Sequence, residues 1–178
     1  MFKVNRNMEG NGSDRRLLYI GGASSMTGCE RNCIEGFVNH CFKRKVELRY
    51  SCQVIRSRNH KDVGHEIRDF FEKTNVSSYI ELIGDGYNEK SKEIAILTFR
   101  IARSKMPKFV IVRTDREKIS PDPGKELINL ASKRGACIFP YRANNTPSLE
   151  RNIQYIMGEI FTDLKLLNFE EGVQDTDI

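Results

Sequence analysis

No stretch of this 178-residue chain is apolar for long enough to cross a bilayer, since its uninterrupted apolar pieces are strand-sized, such as Phe109-Val-Ile-Val112. The N-terminal stretch Met1 to Arg16 is polar and lacks the basic, apolar and small-residue layout of a secretory leader, so an intracellular location, cytoplasm or nucleus, is expected. Cysteine is sparse and odd in number, with Cys29, Cys33, Cys41, Cys52 and Cys137. In a chain read as intracellular, that favours reduced thiols over a disulfide framework. Close Cys-x-x-Cys knuckles are missing, and Cys33 and Cys41 fall with Phe37 on the apolar stripe of a helix, so core packing is expected there and no metal site. The three histidines, His40, His60 and His65, have no serine or cysteine that spacing places beside them, and nothing proposes a nucleophile pair. The sequons at Asn11, Asn75 and Asn144 then read as chance matches.

What is present is a balanced globular composition, 39% apolar and 30% charged, which excludes wholesale disorder and is sized for one domain. The net charge of +5 is unevenly spread. Eight basic residues stand against three acids from Lys43 to Arg68, and seven against two from Arg100 to Lys118, while the chain beyond Lys165 carries only acids. A basic surface of Lys43, Arg44, Lys45, Arg56, Arg58 and Lys61 would suit nucleic acid, an anionic surface or an acidic protein, and equally a plain solvated face. Aromatic residues are not interleaved with these cations, as stacking platforms for single strands require.

Along the chain, strand and helix alternate. Residues 1–16 read as a flexible arm, 17–168 as a single α/β domain and 169–178 as an acidic tail. Strands are predicted at Leu17–Ile20, Val46–Ile55, Tyr79–Ile83, Phe109–Val112 and Cys137–Phe139. Helices are predicted at Glu30–Lys43, Asp62–Lys73, Glu89–Lys105, Lys125–Lys133 and Ser148 to about Leu167. Ile94, Leu97, Ile101 and Ala102 are taken as the inner stripe of the third helix, and the last helix is expected to bury Leu149, Ile153, Ile156, Met157, Ile160, Phe161, Leu164 and Leu167. This order, with inner strands as continuous apolar runs, calls for a three-layer, Rossmann-like sandwich around a mostly parallel five-stranded sheet.

In such sheets ligands bind at the C-terminal ends of the strands, so the Gly21 to Gly28 turn is the first candidate. Gly22, Ser24, Ser25 and Thr27 offer small residues, hydroxyls and free amides ahead of a helix. A phosphate loop of the G-x-x-x-x-G-K-[ST] type also needs a lysine and a hydroxyl. Counted from Gly22, Gly28 stands where the lysine belongs and Cys29 where the hydroxyl belongs, and no lysine or arginine occurs from Leu17 to Glu30. The turn equally reads as a tight connection without function.

The later half is more specific. Lys108-Phe-Val-Ile-Val-Arg-Thr-Asp115 resembles the strand and guanine-specificity element of small GTPases, with Arg113 in place of the family's lysine and Val112 in place of Asn or Thr. Lys125 to Thr146 is similar to that family's helix, strand and Ser-Ala-Lys loop, Ala143 matching the alanine between Arg142 and Asn144. Tyr79 to Asp115 also resembles the corresponding part of immunity-related GTPases. The resemblance implies that Asp115 and Ala143 read a guanine ring. The front half departs from the family. Besides the failed loop, Gln53-Val-Ile-Arg56 stands where Asp-x-x-Gly is expected. The resemblance therefore implies a degenerate pseudo-GTPase acting without catalysis as an adaptor or assembly subunit through protein partners. No cofactor is expected, GTP or GDP entering only if the altered loop still binds.

Two alternatives stand beside it. The build is similar to that of nucleoside deoxyribosyltransferase-like proteins, which work with a carboxylate nucleophile near the strand ends, and Asp85, Tyr87, Glu89 and Asp115 would be the group in question. Asp85-Gly86 is also an ordinary turn pair and Glu89 an ordinary first-turn residue. The other alternative is a nucleic-acid or anionic-surface binder using the basic stretch. None of these features sets an oligomeric state.

Overall fold

Leu17 and Tyr19 turn toward one side of the first strand and Leu18 and Ile20 toward the other, as strand geometry requires. Both sides are apolar, so the strand must be covered twice. In the computed structural model, which describes residues 15–102, 107–118 and 120–162, this strand is β1 (Arg16–Gly21) of a five-stranded sheet. The others are β2 (Val46–Tyr50), β3 (Ser78–Ile83), β4 (Phe109–Arg113) and β5 (Cys137–Tyr141). Their order is β2-β1-β3-β4-β5 and every pair is parallel. This is the doubly wound arrangement expected, with the strand order switching direction between β1 and β3.

The helices are α1 (Gly28–Phe42), α2 (Ser51–Val54), α3 (His60–Lys73), α4 (Glu89–Ala102), α5 (Pro123–Lys133) and α6 (Thr146–Ile160). On one face Ile34, Val38 and Phe42 of α1 and Ile153, Ile156 and Met157 of α6 pack on Leu18, Ile20, Ile80, Leu82 and Ile111. On the other, Phe70 and Phe71 of α3, Phe99 of α4 and Leu127 of α5 meet Tyr19, Tyr79, Val110 and Val112. Tyr19 is the hub of an aromatic cluster there, 5.1 Å from Phe71, 5.3 Å from Tyr79 and 5.7 Å from Phe70 between ring centroids.

Three departures from the sequence pattern have physical reasons. The second strand stops at Tyr50, and Ser51–Val54 coils into α2. Ile20↔Tyr50 is the last pair, with β1 ending one residue later at Gly21, and the Gln53 side chain accepts the Tyr50 N–H at 3.0 Å to start the coil. In α4 the sheet-facing stripe is Ala95, Thr98, Phe99 and Ala102, whereas Ile94, Leu97 and Ile101 are half-buried on its flank. Leu97 lies on the side of α3, where a Cβ on Gly64 would come within 3.7 Å of it. Arg16, assigned to the arm, begins β1 opposite Val46. Residues 1–14 of the arm, Leu164, Leu167 and the acidic tail lie outside the described residues.

Candidate functional site

The C-terminal edge of β1 is built by one residue in a left-handed conformation. Gly22 has φ +71°, and a Cβ there would run into the Leu82 carbonyl, the Tyr87 ring and the Glu81 carboxylate. A 3₁₀ turn, Ala23–Ser25, follows. The buried Ser25 hydroxyl donates to the Gly22 carbonyl at 2.6 Å and accepts the Gly84 N–H at 2.8 Å. The Gly86 N–H reaches the Ser25 carbonyl at 3.0 Å, so the turn after β1 is stitched to the loop after β3. Thr27 caps α1, its hydroxyl accepting the Glu30 N–H at 3.2 Å.

Between this turn, α2 and the start of α4 opens a cleft of about 330 Å³, beside the switch between β1 and β3. Gly22, Ser24, Ser51, Asn88 and Ser91 give it backbone, hydroxyl and amide groups, and Arg56, Arg58 and Lys90 give it positive charge. Among the described residues no carboxylate lines it. Among the described residues neither Arg58 nor Lys90 forms an ion pair, so their charge is available to a ligand. The wall carrying Arg56 is fixed from α3. The Glu66 carboxylate accepts the Ser57 hydroxyl at 2.7 Å and the Arg56 and Ser57 amides at 3.1 and 3.2 Å, and the Ser57 hydroxyl leads in holding that carboxyl below its ordinary range.

Directly behind Gly21 and Gly22 lies Glu81, 1% exposed in the middle of β3. Tyr79 donates its hydroxyl to Oε2 and Tyr87 donates to Oε1 at 2.9 Å. No cation pairs with it among the described residues, and burial pushes its carboxyl up to about 7 despite the two phenol donors. Burial also raises the phenols of Tyr79 and Tyr87, with Glu81 adding to it. Tyr87 is anchored from its other end by the buried Arg116, whose guanidinium donates to the Tyr87 carbonyl at 3.0 Å and to Asp122 at 2.7 Å.

The remaining candidates gather elsewhere. Thr27 and Ala143 line a second cleft of about 370 Å³ between the starts of α1 and α6, with Arg113 and Tyr141. Of its charged groups, Glu30 and Arg113 are spent internally, while Arg142 also lines it and forms no ion pair among the described residues. Glu30 accepts the Tyr141 hydroxyl at 2.7 Å and pairs with Arg113 at 3.5 Å, and Arg113 Nε meets Asp115 at 3.0 Å. Both Asp115 oxygens accept the Ala143 N–H, at 3.1 and 3.2 Å, which with Arg113 holds that carboxyl below its ordinary range. The two groups that the GTPase resemblance assigns to a guanine ring thus satisfy one another. Asp85 accepts the Glu117 N–H at 2.9 Å and Glu89 pairs with Lys92 at 2.6 Å, while Tyr87 turns inward to Glu81. Of the four strand-end groups Asp115 pairs with Arg113, which also feels the charge of Asp85, while Tyr87 and Glu89 are held elsewhere.

The basic stretch divides. Lys43, Arg44 and Lys45 are exposed at the turn entering β2, whereas Arg56, Arg58 and Lys61 follow its far end, separated by a five-residue strand, about 16 Å. Among the described residues no three of His, Cys, Asp and Glu gather as metal ligands, and no helix is long and apolar enough to cross a membrane. Set against protein-family models, curated proteins and solved structures, the chain finds no match. The protein is a Rossmann-like, doubly wound α/β domain with a cationic cleft at its switch point.

Sequence reading passed over Lys90, Ser51, Asn88, Ser91 and Glu81. Only Glu81 carried a local signal, being a carboxylate inside the otherwise apolar strand Tyr79-Ile-Glu-Leu-Ile83. The others converge through the fold.

Proposed function

We propose that this protein binds a phosphate ester of nucleotide size in the cleft beside β1 and β3. The observation that carries the reading is the lining itself: three cations, several hydroxyls and no carboxylate, at the place where open α/β sheets bind ligands. Arg56, Arg58 and Lys90 meet the phosphate, and Ser24, Asn88 and Ser91 supply donors and acceptors for a sugar. Gly22 presents main chain to the ligand, the side of its missing Cβ being filled by Leu82, Tyr87 and Glu81. The turn after β1 contributes Ser24 and Gly22 without a phosphate-loop lysine, so this is charge recognition from α4 and the segment between α2 and α3.

The adaptor reading finds less support. Among the described residues Tyr155 is the single large apolar side chain that stands exposed, and it leans on Phe139 at 5.5 Å, leaving little apolar surface for a protein partner. For a nucleic-acid backbone the split of the basic stretch leaves no continuous track. A thermal-shift series with nucleoside 5′-mono-, di- and triphosphates tests the proposal. A concentration-dependent rise in Tm that disappears in Arg58→Glu/Lys90→Glu supports it, and no rise with any nucleotide refutes it.

A further inference from the structure

We propose that occupation of the switch-point cleft by an anion is coupled to uptake of a proton by Glu81. This rests on the cleft reading above and adds how the site is regulated. Gly22 lines the cleft with its backbone, and a Cβ on its opposite side would lie 3.0 Å from Glu81 Oε1. One layer of main chain therefore separates the ligand space from a buried carboxylate.

Among the described residues no cation pairs with Glu81, and its donors are neutral phenols. Its own strand presents Tyr79, β1 presents Tyr19 and the two glycines, and the loop after β3 presents Tyr87. β4 runs alongside with Val110. Further off, α4 contributes the neutral Thr98 and α2 the thiol of Cys52, both near Tyr19. The Arg116 guanidinium faces Tyr87 and is spent on Asp122 and a carbonyl. The three phenols stay protonated at neutral pH because burial raises each of them. Glu81 is thus the group in this layer left to change charge.

A phosphate in the cleft adds negative charge across a thin, poorly screening layer, and like charges disfavour the ionised form. The proton Glu81 gains comes from solvent. By linkage the effect is reciprocal, and the protein with Glu81 neutral holds the anion more tightly.

The test follows the Glu81 side-chain carboxyl by ¹³C NMR through a pH titration of the full chain, without ligand and saturated with AMP or GMP, whichever binds more tightly. The titration midpoint is expected to move upward by about one pH unit when the nucleotide is bound. Correspondingly, the ratio of wild-type to Glu81→Gln affinity is expected to fall about tenfold from pH 6 to pH 9; the phosphate's own titration cancels in that ratio. A midpoint unmoved by bound nucleotide overturns the coupling and leaves the cleft reading standing. Failure of both nucleotides to bind overturns the cleft reading and the coupling with it. Should Glu81→Gln not fold, the wild-type titration decides alone.

Discussion

Tyr87 donates its hydroxyl to Oε1 of Glu81 at 2.9 Å while its ring packs beneath Gly22, so one side chain joins a buried carboxylate to the wall of the cleft. Stability should report on that carboxylate. Glu81 holds its proton more tightly folded than unfolded, its carboxyl being raised from 4.5 to about 7, so the folded state binds more protons in that window. Stability contributed by this residue is then greatest below about pH 4.5 and is lost as pH rises through about 7, on the order of 3 kcal/mol. Urea denaturation of wild type and Glu81→Gln between pH 5 and pH 8 is expected to show the difference shifting in favour of the glutamine variant at the alkaline end. Parallel curves would contradict it.

Gly22→Ala combines a left-handed φ of +71° with a Cβ driven into the Leu82 carbonyl. A loss of about 2–4 kcal/mol is expected in chemical denaturation. Gly135→Ala shares the positive φ, +89°, but its Cβ would meet nothing, so it should cost only about 1–2 kcal/mol. The gap between the two isolates the close approach.

Arg116→Ala removes a buried guanidinium, leaving its two acceptors, Asp122 and the Tyr87 carbonyl, without their donor. A cost of about 3–5 kcal/mol is expected, against about 0.5 or less for the exposed Arg142→Ala. Equal effects would mean that Arg116 is not the tie between the loops after β3 and β4.

Ser25→Ala leaves the Gly84 N–H, buried in the stitch between two loops, without its acceptor. About 1–3 kcal/mol is expected from denaturation, with faster hydrogen exchange at Gly84 as the local signature.

The layered fold was readable because apolar strands on both sides admit few architectures. Leu17–Ile20 and Phe109–Val112 are apolar at every position, and such strands belong inside a sheet covered twice. Strand ends were less readable. Alternation continued through Cys52 and Val54, but pairing depends on where the neighbouring strand stops, which is a property of Gly21 and Gly22. The cleft was legible only in part. Gly22 and Ser24 followed from the strand-end rule, and Arg56 and Arg58 from charge, as members of separate hypotheses. Lys90 completes the set from about thirty residues away, and no local pattern announces such a meeting. Asp115 and Ala143 were read as ligand groups, yet each satisfies the other across two loops, a pairing that spacing alone does not reveal.

The most direct measurement is a calorimetric titration of AMP and GMP into the wild type, Arg58→Glu/Lys90→Glu and Arg142→Glu at low and moderate salt. Binding by the wild type that weakens tenfold or more in the double variant, weakens with salt, and is kept in Arg142→Glu is the expected result, since Arg142 lines the other cleft. Absence of binding, or a loss caused equally by Arg142→Glu, would contradict the placement of the ligand beside β1 and β3.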